Sequence, residues 1–142
     1  MSLRLQPVSI FSALFGALGI STGLYTLVSP GHKTAELFGI VIPPSIDWNS
    51  EAGARQKAFM RIHGVRNAVN GAGLVILSLL GARRTVGIML GLGSLVCVAD
   101  GWILKDYRTR AEGKAAQVAE KQSVGHMLTA IPVLVLAWFN LK

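Results

Sequence analysis

The sequence predicts an all-α fold: a four-helix transmembrane bundle of up-down topology with a long first connection, one integral membrane domain over residues 1–142. Three observations predict it. Four stretches, at about 8–28, 62–80, 85–104 and 123–141, are apolar over close to the ~20 residues a helix needs to cross hydrocarbon. Only 15% of residues are charged and 51% are hydrophobic, against about 25% charged in ordinary soluble domains. The basic residues behind the net charge of +7 fall between the apolar blocks, where they meet lipid headgroups or set topology. That placement argues against nucleic acid as a partner and for the lipid bilayer.

Pro7 suits the first turn of the first helix, and 8–28 carries no charge. A secretory signal peptide has a shorter apolar core followed by a small-residue cleavage site, which this run does not show. Gly19 and Gly23 form a small-xxx-small pair for close helix packing. Ser21, Thr22, Tyr25 and Thr26 make the far end polar, their hydroxyls either returning to helix carbonyls or serving a site. Ser29-Pro30-Gly31 stops the helix. The stretch of about twenty residues to Asn49 is long for a connection. Its apolar Leu37–Ile42, closed by Pro43-Pro44, predicts a short interfacial or re-entrant lid, and Trp48 an interfacial anchor.

Asn49 or Ser50 is a good N-cap with Glu51 in the first turn. The second long helix then runs to about Leu80, its cationic first turns protruding beyond the hydrocarbon. Gly81-Ala82-Arg83-Arg84 is a tight turn. The third span carries Gly87 and Gly91 as a GxxxG pair and Asp100 as its only charge. Lys105 to Gln122 predicts a loop passing into a surface helix turn. The fourth span has His126 near its start and Pro132 in mid-helix, a kink that neighbouring helices can accommodate. Cys97 is the single cysteine, which excludes an intrachain disulfide and a Cys-based metal site. In its apolar run it reads as a packed thiol.

The second helix carries a polar stripe: His63, Arg66, Asn67 and Asn70 recur at i, i+3, i+4 and i+7, which is one face. Ionisable residues inside a membrane span are functional-site candidates. In an alternating bundle, Arg66, Asp100 and His126 each lie about one turn inside the same leaflet. Pairing of Arg66 with Asp100 is the usual way a membrane tolerates both. The set suits acid–base work. Asp100 would be the proton donor or base and His126 its partner or relay. Arg66 would hold developing negative charge, while His63, Asn67, Asn70, Tyr25 and Trp102 bind the substrate. The opposite end offers little beyond Arg83 and Arg84. No metal and no cofactor is expected, since no zinc or haem signature, phosphate-binding loop or serine nucleophile elbow is present.

Tyr25 through Pro30, Phe38-Gly39, Gly64-Val65-Arg66-Asn67 with Gly71, Arg83-Arg84, Asp100 and His126 together resemble the DUF4267 family of small four-span membrane proteins, found in fungi and bacteria. The resemblance implies a membrane bundle with a shared polar cluster. In that family the residue after the arginine is commonly Asp, where this chain has Asn67. A working acid at that position elsewhere would pass to Asp100 here. Some fungal members look like accessory proteins of natural-product pathways, which implies a lipophilic substrate.

The reading is therefore a membrane-embedded, cofactor-independent cyclase, isomerase or epoxide-opening hydrolase acting on a lipophilic small molecule. Two alternatives come from other classes: a ligand-binding or transport subunit of a membrane complex, and a structural membrane protein held by an Arg66–Asp100 lock. A pocket among the first, second and fourth spans favours an enzyme or binding subunit; a tight pair without a cavity favours the lock. The expected location is a multi-pass membrane protein, in the endoplasmic reticulum of a eukaryote. Nine Lys/Arg flank the first and third connections, against Arg4, Arg83, Arg84 and Lys142 on the other side, which puts the polar cluster toward the cytoplasm. The glycine faces of the first and third spans leave a homo-oligomer open.

Overall fold

The computed structural model describes residues 6–142 and is all-helical among them. Five helices follow in order: α1 (Pro7–Val28), α2 (His32–Leu37), α3 (Glu51–Leu79), α4 (Arg83–Arg110) and α5 (Gly113–Leu141). Three of them, α1, α4 and α5, are long and apolar enough to cross a membrane. Arg4 of the charge asymmetry lies outside the described residues.

The helix ends follow local chemistry. Pro7 opens α1, where its missing N–H costs nothing. Ser50 caps α3 by accepting from the Gly53 amide at 3.2 Å, with Glu51 in the first turn and paired to Arg55 at 2.7 Å. Two segments differ from the sequence reading. His32–Leu37, for which the sequence predicts no element, forms a short helix ahead of the Leu37–Ile42 stretch, held by the Thr34 hydroxyl on the Ser29 carbonyl and by burial of Ala35 with Ile42 and Met60. Lys105–Gln122 is not a loop. Helix α4 continues to Arg110, and only Ala111 and Glu112 separate it from α5. Alanines favour the helix there, Arg110–Asp106 at 3.1 Å braces the end of α4, and Arg108–Glu120 at 2.7 Å ties it to α5. Helix α5 runs unbroken through Pro132.

The long helices form two intimate pairs, α1 with α3 and α4 with α5, and the contact between pairs is far thinner. Glycines bring α1 and α3 together antiparallel. A Cβ on Gly16 would meet the Gly71 carbonyl at 2.7 Å, and one on Gly23 the Gly64 carbonyl at 2.5 Å. The expected pair Gly19/Gly23 is thus part of a longer seam, opposed by Gly64 and Gly71. In α4, Gly87 packs against Leu141 and Ala137, but Gly91 has nothing within 4 Å, so the second GxxxG is only half used. The pairs join through Leu74, Val86, Leu90, Val133 and Ala137, with Phe15, Leu77, Met89 and Leu136 around them. That cluster lies in the half of the molecule next to the α3–α4 turn. In the other half the α2 connection bridges the pairs: Gly39 rests on Leu104 of α4 and Gln122 of α5, and Glu36 pairs with Lys114. Gly39 has φ +80° and no room for a Cβ, so both demands fall on one glycine.

Candidate functional site

Helical phase relates the polar residues to the space between the two pairs. On α3, Gly73 faces α4, its absent Cβ lying 3.4 Å from Met89. Arg66 and Asn70 precede Gly73 by seven and three residues and share that face. On α4, Asp100 lies three turns beyond Met89 and one before Leu104, which touches Gly39. On α5, His126 lies one turn past Gln122, the other residue under Gly39. His63 packs against Phe38 of the same connection at 5.9 Å and against Phe59 at 4.6 Å. Asp100, His126 and His63, from three helices, therefore lie just beneath one roof, the Phe38-Gly39 segment.

The expected Arg66–Asp100 pair is not formed; neither side chain enters an ion pair among the described residues. Register explains it. Counting from the Gly73–Met89 contact at 1.5 Å per residue, Arg66 lies about 10 Å along α3 and Asp100 about 16 Å along α4. His63, at about 15 Å, is the α3 residue level with Asp100. His126 shares this level, because Gly101 packs between Ser123 and Met127. The gap is open: Arg66 and Asn70 are exposed, His63, Asp100 and His126 half-buried. Gly93, on the Asp100 face of α4, has nothing within 4 Å of its Cβ position. Among the described residues, no three His, Cys, Asp or Glu side chains come close enough to hold a metal ion.

Other sequence candidates fall elsewhere. Tyr25 is 40% exposed and about 180° around α1 from Gly16, away from α3. Trp102 is 68% exposed and about 200° from Asp100, turned outward from the gap. Asn67 is half-buried beside α1, its carbonyl 3.3 Å from the Cβ position of Gly19. The hydroxyls of Ser21, Thr22 and Thr26 bond back to carbonyls of their own helix at 2.9, 3.0 and 2.8 Å and are spent there. A groove of about 570 Å³ opens on the α1–α5 seam in the half away from the roof, rather than among α1, α3 and α5.

Three features went unseen in the sequence. His32 is the hub of the connection: its Nδ1 lies 3.1 Å from the Ile42 carbonyl, and its Nε2 accepts from Trp48 Nε1 at 3.3 Å. With Nε2 accepting from Trp48, Nδ1 is the ring nitrogen left to donate to the Ile42 carbonyl. Trp48 consequently turns inward to the Ala35–Ile42–Met60 cluster instead of anchoring to an interface. At the opposite end, where little beyond Arg83 and Arg84 was expected, Asn140 of α5 is buried and donates to Ser12 of α1 at 2.9 Å. Arg83 reaches across to the Phe139 carbonyl at 2.6 Å. A lone Asn in an apolar run was the only signal for that contact.

Compared with known proteins, residues 16–140 match the model of one family, DUF4267, described as a domain of unknown function. No curated protein and no solved structure matches.

Proposed function

We propose, from the premise that the chain belongs to the DUF4267 family, that it is a four-span membrane protein performing acid–base chemistry on a lipophilic small molecule. The observation that carries the reading is the shared level of Asp100, His126 and His63 beneath the Phe38-Gly39 roof, around a gap that none of them bridges. A substrate entering from lipid would meet a carboxyl and two imidazoles there. Asp100 is the proton donor or base, and His126 exchanges the proton with it. Arg66, about one turn deeper, stabilises negative charge developing on the substrate, and Asn70 orients it. Cyclisation, double-bond isomerisation and epoxide opening all fit this set. Tyr25 and Trp102, which face outward, have no part.

Four spans rather than three are supported by packing. Helix α3 lies antiparallel along α1 with Gly71 against Gly16 and Gly64 against Gly23, so it shares the depth of whatever α1 crosses. Its stripe of His63, Arg66, Asn67 and Asn70 lowers its hydropathy below that of the other three. A ligand-binding subunit is the second reading, favoured by the exposure of Arg66 and Asn70, which leaves both free to meet a ligand without chemistry.

The test compares purified wild type with Asp100→Asn for melting temperature and for conversion of lipophilic extracts of the producing organism. Conversion by wild type and none by an equally stable Asp100→Asn is the expected result. Undiminished conversion by the variant removes Asp100 from the chemistry, and binding without conversion by wild type leaves the second reading.

A further inference from the structure

The end of the molecule away from the roof joins two features that the acid–base reading does not use. The first is the groove on the α1–α5 seam, about 570 Å³, walled by Phe11, Leu14 and Leu18 on one side and Pro132, Val135 and Phe139 on the other. No wall residue is polar. Phe11 and Phe139 lie toward the helix ends, and from there the groove runs inward along α5 for about 12 Å. The second is charge. All seven acidic residues lie elsewhere, between Glu36 and Glu51 or between Asp100 and Glu120, and there four of them, Glu36, Glu51, Asp106 and Glu120, pair with Lys114, Arg55, Arg110 and Arg108. The groove end has Arg83, Arg84 and Lys142 and no carboxylate side chain to pair with them. Arg83 is fixed beside the groove by its bond to the Phe139 carbonyl at 2.6 Å. Its buried Nε has no hydrogen-bond partner among the described residues. Lys142 sits over the Trp138 ring at 4.7 Å.

We infer that this seam is a binding site for an anionic phospholipid, one acyl chain lying in the groove and the phosphate at Arg83 and Lys142. A guanidinium, with its fork of N–H donors, suits a phosphate oxygen. A groove with no polar wall suits only hydrocarbon, and the charge excess selects an anionic headgroup over a zwitterionic one. The inference depends on the chain residing in a membrane and not on the catalytic reading; Asp100→Asn leaves it untouched.

The experiment is native mass spectrometry of the full chain in detergent, with phosphatidylglycerol and phosphatidylcholine of identical acyl chains. Wild type is expected to retain phosphatidylglycerol over phosphatidylcholine by about 25-fold, from about fivefold for each of the two cations at a charged surface. Arg83→Gln/Lys142→Gln should bring the ratio close to unity, while Arg55→Gln/Lys57→Gln at the other end leaves it unchanged. Leu18→Trp, filling the deep end of the groove, should release both lipids. Where that variant fails to fold, a photoreactive residue at Leu18 is expected to crosslink to the acyl chain, and absence of that adduct overturns the site. Equal retention of the two lipids by wild type overturns the inference. So does an unchanged ratio in the groove-end variant, or an equal loss in the control. Displacement of phosphatidylglycerol by equimolar oleate would replace the phospholipid with a free fatty acid and overturn the assignment of occupant.

Discussion

Substituting Gly23 by alanine tests the element on which the arrangement rests, the close approach of α1 and α3. The added Cβ would lie 2.5 Å from both the Gly64 carbonyl oxygen and the Ala68 amide nitrogen, and 2.9 Å from Ala68 Cα. Ordinary contact begins at 3.4 Å, so the helices must part by nearly an ångström. All three obstructing atoms are backbone, so no rotamer change relieves them. Overpacking of a tight interior costs about 1–3 kcal/mol, and rigid opponents place this case toward the upper end. Alanine recovers up to about 1 kcal/mol through helix propensity. The net loss expected is about 1–2 kcal/mol. Gly91→Ala is the control: it has nothing within 4 Å and keeps the propensity gain. Reversible unfolding of both variants in mixed micelles with increasing dodecyl sulfate should separate them by about 2–3 kcal/mol. Equal stability of the two would refute the glycine seam, and with it the shared depth of α1 and α3.

Further outcomes follow from single contacts. Ser123→Ala removes a buried hydroxyl that donates to the Gly101 carbonyl at 2.7 Å across the α4–α5 pair. The expected cost is about 0.6 kcal/mol and at most about 1.7, typical of interhelical hydrogen bonds in membranes, read by the same unfolding assay. Trp48→Phe keeps an aromatic ring, though a smaller one, and loses the donor to His32; the lost hydrogen bond alone costs about 1 kcal/mol. Because that bond closes the connection and not the bundle, limited proteolysis within 38–50 should speed up while global unfolding barely moves. Glu36→Gln breaks an exposed pair with Lys114, worth less than about 1 kcal/mol, and the difference from wild type should vanish in high salt.

What the sequence revealed, and what it hid, divides along physical lines. Signals confined to one helix were legible: the charge-free run of α1, its stop at Ser29-Pro30-Gly31, the Ser50 cap, and the stripe from His63 to Asn70. Pairing between helices was not. Arg66 and Asp100 attract in any scheme, but which residues share a level depends on register. Glycine packing of α1 on α3 and the two-residue link between α4 and α5 set that register without regard to charge. Segment 105–122 misled because charge marks the edge of hydrocarbon, not the end of a helix, and an Ala-rich helix continues into water. His32 was hidden for a related reason. Its partners, Ile42 and Trp48, are ten and sixteen residues away, and nothing in a polar, proline-flanked hexapeptide announces that it folds back on them. Asn140 was a single polar residue in an apolar run, whose role appears only with Ser12 opposite it.

The crossing of α3 deserves a decision by experiment, because hydropathy and packing bear on it differently. By composition α3 is not among the helices apolar enough to span. By packing it cannot sit apart from α1: Gly71 opposes Gly16 near the middle of a 22-residue helix, and Arg66 is then about 7 Å from that midpoint, well inside a ~30 Å hydrocarbon core. A guanidinium there is tolerable only against protein or water, which in the four-span reading the open gap between the helix pairs would supply. In a Cys97→Ser background, single cysteines at Ser45, Ala82 and Glu112 decide it by labelling with a membrane-impermeant maleimide. Four crossings place Ser45 and Glu112 on one side and Ala82 on the other. If Ala82 labels with Ser45 instead, α3 does not cross. The His63–Asn70 stripe then lies along a surface, and the acid–base reading falls, since its three levelled side chains would no longer enclose a space that lipid can feed.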